Sequence, residues 1–412
     1  MVKRLFTLTL ILCAFSAILS SCSSNDSVKI VTSAESSFTY PTGLNNPLLA
    51  SYSVTFTNLT TKESITYSDL SKIQLPEGLY NVSLQGICNY TLDNGSASTS
   101  NVRSSLENVT ISEGSTNLKF KLYVYNNKAG LVLKEIFFAG TLTPAGASYN
   151  YDTYFVIYNN SDSTIYADGV LLLESNFLTS GKKELTPDIM SSSFAVDAAY
   201  QIPGSGTEHP VASGDSLVIC DRAIDHTSAN THSFDLSKAD FEWYDESSVA
   251  SSQDVDNPDV PNLNKIYSYT KSVWIPSVQG NHAYAIARPS SDFTSSGFLT
   301  SNIYNYTYSF VSASLTKTMT GSCYEVPNSW ILDAVDLCPS TQWQWNVVDA
   351  SLDMGYAYVG EIGSAATNRG KSVIRKIQAV NPDGRVVLQD TNNSSEDFQM
   401  GATASMIAKK SK

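Results

Sequence analysis

Strict alternation of apolar and polar positions runs from about Leu49 to Asn126. Val54 and Phe56 alternate with Thr55 and Thr57, and Tyr80, Val82 and Leu84 alternate with Asn81, Ser83 and Gln85. Val109 and Ile111 alternate with Thr110 and Ser112. Leu118, Phe120, Leu122 and Val124 follow, spaced by Lys119, Lys121, Tyr123 and Tyr125. A period of two with one apolar face predicts strands that cover a core on one side and meet water on the other. Turn chemistry separates them at Asn58-Leu59-Thr60-Thr61, Pro76-Glu77-Gly78, Asp93-Asn94-Gly95 and Ser112-Glu113-Gly114. Short strands at that spacing predict a small sandwich over 49–127.

From Gly130 the pattern changes. Leu131–Phe138 and Tyr154–Tyr158 are apolar on both faces, as central strands of a covered sheet would be. Asn159-Asn160-Ser161-Asp162 is a turn, and Ile165 to Leu173 returns through Ala167-Asp168-Gly169. Val211–Cys220 reads as a loop feeding a strand, and Trp330–Val335 and Gly370–Arg375 as later strands. The expectation is an all-β chain whose second sandwich spans 128–412, with a long loop-rich insertion at 221–325.

The N-terminus adds an address. Lys3 and Arg4 precede an apolar run from Leu5 to Leu19, too short and wrongly flanked for a membrane span. Leu19-Ser20-Ser21-Cys22 resembles the bacterial lipobox, whose cysteine becomes the lipidated first residue of the mature protein. Residues 1–21 are therefore expected to be a lipoprotein signal peptide, Cys22 the lipidation site, and 22–48, rich in Ser, Thr, Asn and Pro, a tether. The chain is then anchored rather than spanning, as an outer-membrane lipoprotein of the cell envelope.

Composition narrows the partners. Charged residues make up 16%, below the roughly 25% of an ordinary soluble domain, and Ser, Thr, Asn and Tyr carry the polar surface. A net charge of −13 argues against nucleic acid, whose backbone needs a basic face.

Several segments resemble known families. Leu75-Pro76-Glu77-Gly78-Leu79-Tyr80-Asn81-Val82 resembles a hairpin of prealbumin-like or carboxypeptidase-regulatory-like sandwiches. The second-domain strands, taken in order with Gly370–Arg375 and Asp390–Phe398, resemble the lamin-tail domain, an immunoglobulin-like sandwich. Val156 stands where that pattern often carries Glu, and about a hundred residues between Asp221 and Tyr324 have no counterpart in a compact lamin tail. Lipobox, prealbumin-like and lamin-tail-like domains together resemble a Bacteroidetes envelope lipoprotein family of unknown function. The resemblance implies two immunoglobulin-like β-sandwich domains and association with a TonB-dependent receptor. It transfers no catalytic residue.

Candidate chemistry is sparse. Gly214-Asp215-Ser216-Leu217 spells the nucleophile motif of GDSL esterases, but a strand follows it where that family has a helix, and no Asp-x-x-His supplies a base. Ser216 therefore reads as a strand-entry residue. Asp221, Asp225, His226 and His232 are a possible transition-metal cluster, better read as surface loop because Asp225 and His226 are adjacent. Asp235, Asp240, Glu242, Asp245, Glu246, Asp254, Asp256 and Asp259 crowd one stretch, which suits either calcium or a solvated loop. Without the glycine and distal Glu of an EF-hand, no metal and no cofactor are expected. Trp243, Tyr244, Trp274, Trp343 and Trp345 are either core or an exposed ligand platform. Cys323 and Cys338 lie in one local stretch and are the natural disulfide pair to test, buried free thiols being the alternative.

The function expected is a non-enzymatic, lipid-anchored binding or accessory protein, its small ligand or glycan unidentified. The alternatives are a glycan hydrolase using carboxylates of 235–259 and a calcium-stiffened adhesin.

Overall fold

The computed structural model describes residues 29–41, 44–91, 97–113, 116–125, 130–312 and 315–410; the signal segment and Cys22 lie outside them. The chain is all-β and forms two compact units, one ending at Leu122 and the other beginning at Tyr123. Among the described residues no helix is long and apolar enough to cross a membrane.

In the first unit, β1 (Glu35–Thr39) pairs in parallel with β6 (Asn117–Lys121). Between them in sequence come β2 (Asn45–Asn58), β3 (Ser64–Tyr67), β4 (Gly78–Thr91) and β5 (Ala97–Ile111), paired in the order β3-β2-β4-β5. The alternation sets the core. Val54, Phe56, Tyr80, Val82, Leu84 and Ile111 are buried on one side, together with Leu118 and Phe120 of β6. The tether reading therefore stops short, because residues 35–39 are a strand with Phe38 stacked on Phe120 at 5.8 Å. A sheet surface is itself made of Ser and Thr, so polar composition alone could not separate tether from strand.

The second unit packs two sheets face to face. The first contains β7 (Leu131–Phe137), β8 (Tyr154–Asn159), β11 (Ser216–Cys220), β12 (Phe241–Glu242), β18 (Lys371–Arg375) and β19 (Phe398–Thr403), in the order β12-β11-β8-β7-β18-β19. The second contains β9 (Leu171–Ser175), β10 (Ser193–Gln201), β14 (Ala283–Ala287), β15 (Ile303–Ser312), β16 (Leu315–Pro327) and β17 (Ile331–Asp336), in the order β15-β16-β10-β9-β14-β17. Leu185–Thr186 pairs along the outer edge of β15, and β13 (Asn264–Ser268) joins β10. Leu133, Ile136, Phe155, Ile157, Leu217 and Ile219 meet Leu172, Tyr200, Tyr284, Ile286 and Val335 between the sheets.

Each sheet is also covered on its outer face, which explains strands apolar on both sides. Ala223, Phe234, Leu236 and Val260 pack on Tyr154, Val156 and Cys220 of the first sheet. Phe298, from the seven-residue helix α1 (Ser295–Ser301), joins Tyr304, Cys323 and Val326 on the outer face of the second. Segment 221–325 is thus more than a loop-rich insertion. It contributes to both outer coverings, and its β14 sits inside the second sheet between β9 and β17.

Candidate functional site

The acidic stretch turns inward. Asp245 lies at the start of the loop after β12; Tyr200 Oη donates to both its oxygens, Trp274 N donates to Oδ2 at 2.7 Å, and Lys265 Nζ pairs with Oδ1 at 2.8 Å. Asp254 accepts from Asp245 N at 3.0 Å and pairs with Arg222 Nε at 3.1 Å. Glu242 accepts from Ala223 N and Asn257 N, at 2.7 and 2.6 Å. Burial raises the pKa of Glu242 and of Asp254, and these N–H groups work against it. Three carboxylates of this stretch therefore fasten a long irregular segment to the sheet, while Asp235, Asp240, Glu246, Asp256 and Asp259 are exposed. Such bonds satisfy backbone groups that an irregular segment would otherwise bury unpaired.

The tryptophan platform does not exist as a surface. Trp243 and Trp274 are fully buried between the sheets, 5.0 Å apart, with Trp243 Nε1 donating to Trp274 O and Trp274 Nε1 donating to Glu174 Oε2. Trp345 packs in the outer core and donates to Leu178 O at 2.8 Å. Trp343 stacks on Tyr356 at 5.4 Å, and Tyr244 is half-buried. Trp343 and Trp345 lie in an irregular segment rather than a strand. The cause is that the core between the sheets takes in Trp243 and Trp274, while the outer core of the second sheet takes in Trp345.

The proposed disulfide is absent. Cys88, Cys220, Cys323 and Cys338 are all free and buried. Cys323 lies on β16 against the outer core and Cys338 just beyond β17, and burial pushes their thiols up to about 12 and about 11. They behave as small apolar side chains.

Ser216 opens β11 opposite Tyr158, as a strand-entry residue does. Of the other motif residues, Arg375 is the most constrained. It is buried, pairs with Asp333 at 2.5 Å, Asp390 at 3.3 Å and Asp397 at 3.5 Å, and lies over the ring of Phe398. The segments around Arg375 and Phe398 are therefore joined by one buried ion network that ties strand ends together.

One convergence escaped the sequence reading. Ligand atoms of Asp168, Glu208 and His209 lie within 4.8 Å of one another, an imidazole and two carboxylates of the sort a divalent ion takes. Asp168, however, already accepts from Gly206 N and Glu208 N on Oδ1 and from His209 N on Oδ2. Burial works to raise its pKa, but those N–H bonds outweigh it and hold the carboxyl below its ordinary range. Asp168 is thus a clamp for the loop 204–209. Its partners lie about forty residues away in sequence, and no short motif announces them.

Among the described residues the β15–β16 hairpin is a well-exposed apolar feature. Its base is fixed by a row of tyrosines: Tyr304 Oη donates to Pro187 O, Tyr306 Oη donates to Asn176 Oδ1, and Lys183 Nζ lies 4.6 Å over Tyr308. Gly321 lets the Tyr306 ring lie across the strand, where a Cβ would come within 2.5 Å of it. Beyond Tyr308 no described strand pairs with the outer edge of β15, and β16 pairs with β10 only from Tyr324 to Pro327. The distal part exposes Phe310 at 50%, Val311 at 70% and Leu315 at 54%.

Residues 212–405 match the model of a family described as a protein of unknown function, DUF4876. The fold is similar to that in the crystal structure of a DUF4876 family protein from Bacteroides thetaiotaomicron VPI-5482. That likeness has a TM-score of 0.56 at 20% identity and covers 91% of this chain and 96% of that one. No curated protein matches the chain. The chain thus resembles a Bacteroidetes family of unknown function, and at this identity the structural likeness is one of fold.

Proposed function

We propose that this chain is a lipid-anchored, non-enzymatic binding or accessory protein of the cell envelope. It is held at the outer membrane through Cys22 and works beside a TonB-dependent receptor. The finer domain reading, prealbumin-like followed by lamin-tail-like, belongs to the same proposal. The β15–β16 hairpin carries it. A hairpin whose distal edges lack a described partner strand and which exposes apolar residues on both arms is a liability for a protein without a partner, and natural edges of that kind are usually charged or covered. Main-chain edges offer strand addition, and Phe310, Val311 and Leu315 offer apolar anchors. The inward carboxylates of the acidic stretch are occupied by backbone N–H groups and cations, which speaks for a structural part rather than for acid–base work.

Gentle crosslinking in intact cells, followed by capture of the chain, tests this reading. The wild type is expected to retrieve an outer-membrane receptor, and the double variant Phe310→Ser, Val311→Ser to lose it while remaining folded. Retrieval of no outer-membrane protein, or equal retrieval by the variant, would sink the proposal.

A further inference from the structure

A second surface feature lies at the base of the same outer layer. A cleft of about 250 Å³ opens between α1, the turn before it and the Asn328–Trp330 turn. Its apolar part consists of Phe293, Phe298 and Trp330; the Phe293 ring lies 5.9 Å from Phe298 and meets Trp330 edge-on at 6.0 Å. Its polar lining includes Asp292, Ser301 and Asn302.

The hydrogen-bonding inventory defines the ligand class. Trp330 Nε1 is a donor with no protein acceptor among the described residues. Asn302 uses Nδ2 on Glu325 O at 3.1 Å, which leaves Oδ1 as an acceptor. The Ser301 hydroxyl both gives and accepts, and a hydrogen bond from Ser290 holds the Asp292 carboxyl below its ordinary range, hence ionised. No Lys or Arg lines the cleft, the ionised Asp292 carboxyl does, and the N–H groups of Gly297 and Phe298 are already taken by Thr294 Oγ1 and Thr294 O. Anions are therefore disfavoured. A purely apolar guest would strand the polar lining. Donors and acceptors beside an aromatic wall suit a ring with hydroxyls on its rim and C–H groups on its face. The volume lies just below the usual range for small-molecule sites, so it admits one ring rather than a chain.

We propose that this cleft binds a single neutral pyranose ring, its apolar face against Trp330 and its hydroxyls on Asp292, Ser301 and Asn302. The inference stands apart from the receptor reading, since the isolated chain suffices to test it. The protein beginning at residue 23 is titrated with the methyl glycosides of glucose, galactose, mannose and N-acetylglucosamine. Ligand-observed NMR and tryptophan fluorescence supply the readout. At least one glycoside is expected to bind saturably. Asp292→Ala and Asn302→Ala are each expected to weaken it about tenfold, by loss of one hydrogen bond; the exposed Asp292 variant should keep the wild-type melting temperature, whereas Asn302→Ala also loses its bond to Glu325 O and should melt lower. Trp330→Leu is expected to abolish both binding and the fluorescence change. The proposal is overturned if no glycoside binds saturably, if binding survives unchanged in the Asp292 and Asn302 variants, or if tetramethylammonium binds more tightly than every sugar.

Discussion

Glu174 lies on β9 with its carboxyl in the core between the sheets. Trp274 Nε1 donates to Oε2 at 3.1 Å, and His282 Nε2 stands 3.8 Å from Oε1. Burial pushes the carboxyl up from 4.5 to about 8 and the imidazole down from 6.5 to about 4, so both favour their neutral forms and the contact is not an ion pair. The consequence for stability has a definite sign. The folded chain keeps a proton on Glu174 that the unfolded chain loses above pH 4.5, so stability falls as pH rises from about 4.5 to about 8, then levels for this group. His282 acts oppositely and only below its unfolded value of 6.5, because charging the buried ring destabilises the fold as pH falls towards 4. Glu174→Gln is therefore expected to be more stable than wild type at pH 8. Its advantage should grow between pH 6.5 and 8 by up to ~1.4 kcal/mol per unit. Urea denaturation across that range checks this, and a parallel pair of curves would refute it. None of this was legible in the sequence. Leu171-Leu-Leu-Glu-Ser175 carries no local sign that its Glu is buried, because its partners Trp274 and His282 lie about a hundred residues away. The tryptophans were legible as core or platform, with core the favoured reading, and what the sequence left open was which core would take each of them.

At the scale of elements, period-two alternation located β2, β4, β5 and β6 of the first unit but not β1 or β3, and doubly apolar runs located β7 and β8. What escaped was β14. Ala283-Tyr-Ala-Ile-Ala287 is buried on both faces, and three alanines pack on the outer core while Tyr284 and Ile286 face the inner one. Alanine carries little strand propensity, and only the close approach of the covering layer explains the choice. The acidic stretch was legible as unusual, but which carboxylates turn inward depends on the donors they meet. That distinction predicts unequal substitutions. Asp245→Ala would leave Lys265 without its partner at 2.8 Å and deprive Trp274 N of its acceptor, so it is expected to destabilise by about 3–5 kcal/mol. Asp256 is exposed and accepts only from Asn262 Nδ2, so Asp256→Ala should stay within about 0.5 kcal/mol of wild type. Calcium is expected to leave the melting temperature of both proteins unchanged, because Asp245 and Asp254 are already compensated by Lys265 and Arg222. A calcium-dependent rise abolished by Asp256→Ala would reverse that reading.

At the scale of the whole molecule, the sequence separates cues of two kinds. Composition and alternation report fold class, because they sum over many residues. Strand order within a sheet depends on pairings such as Leu171↔Ala287, more than a hundred residues apart, which no local pattern encodes. The address at Met1–Cys22 is local again and can be tested by itself. With 39 Asp+Glu against 26 Lys+Arg, the chain gains nothing from an anionic membrane surface, so under the proposed anchoring at Cys22 the acyl chains alone would hold it. Each buried methylene contributes ~0.8 kcal/mol, and one chain holds only reversibly whereas two or more hold firmly. Two outcomes follow. The wild-type protein should stay in the membrane fraction through a high-salt wash, since apolar burial does not weaken with ionic strength, and should leave it in detergent. Cys22→Ala should appear either soluble or as an uncleaved precursor. Fractionation before and after the wash separates these. A Cys22→Ala protein that is processed and still resists the wash would mean that the anchor lies elsewhere.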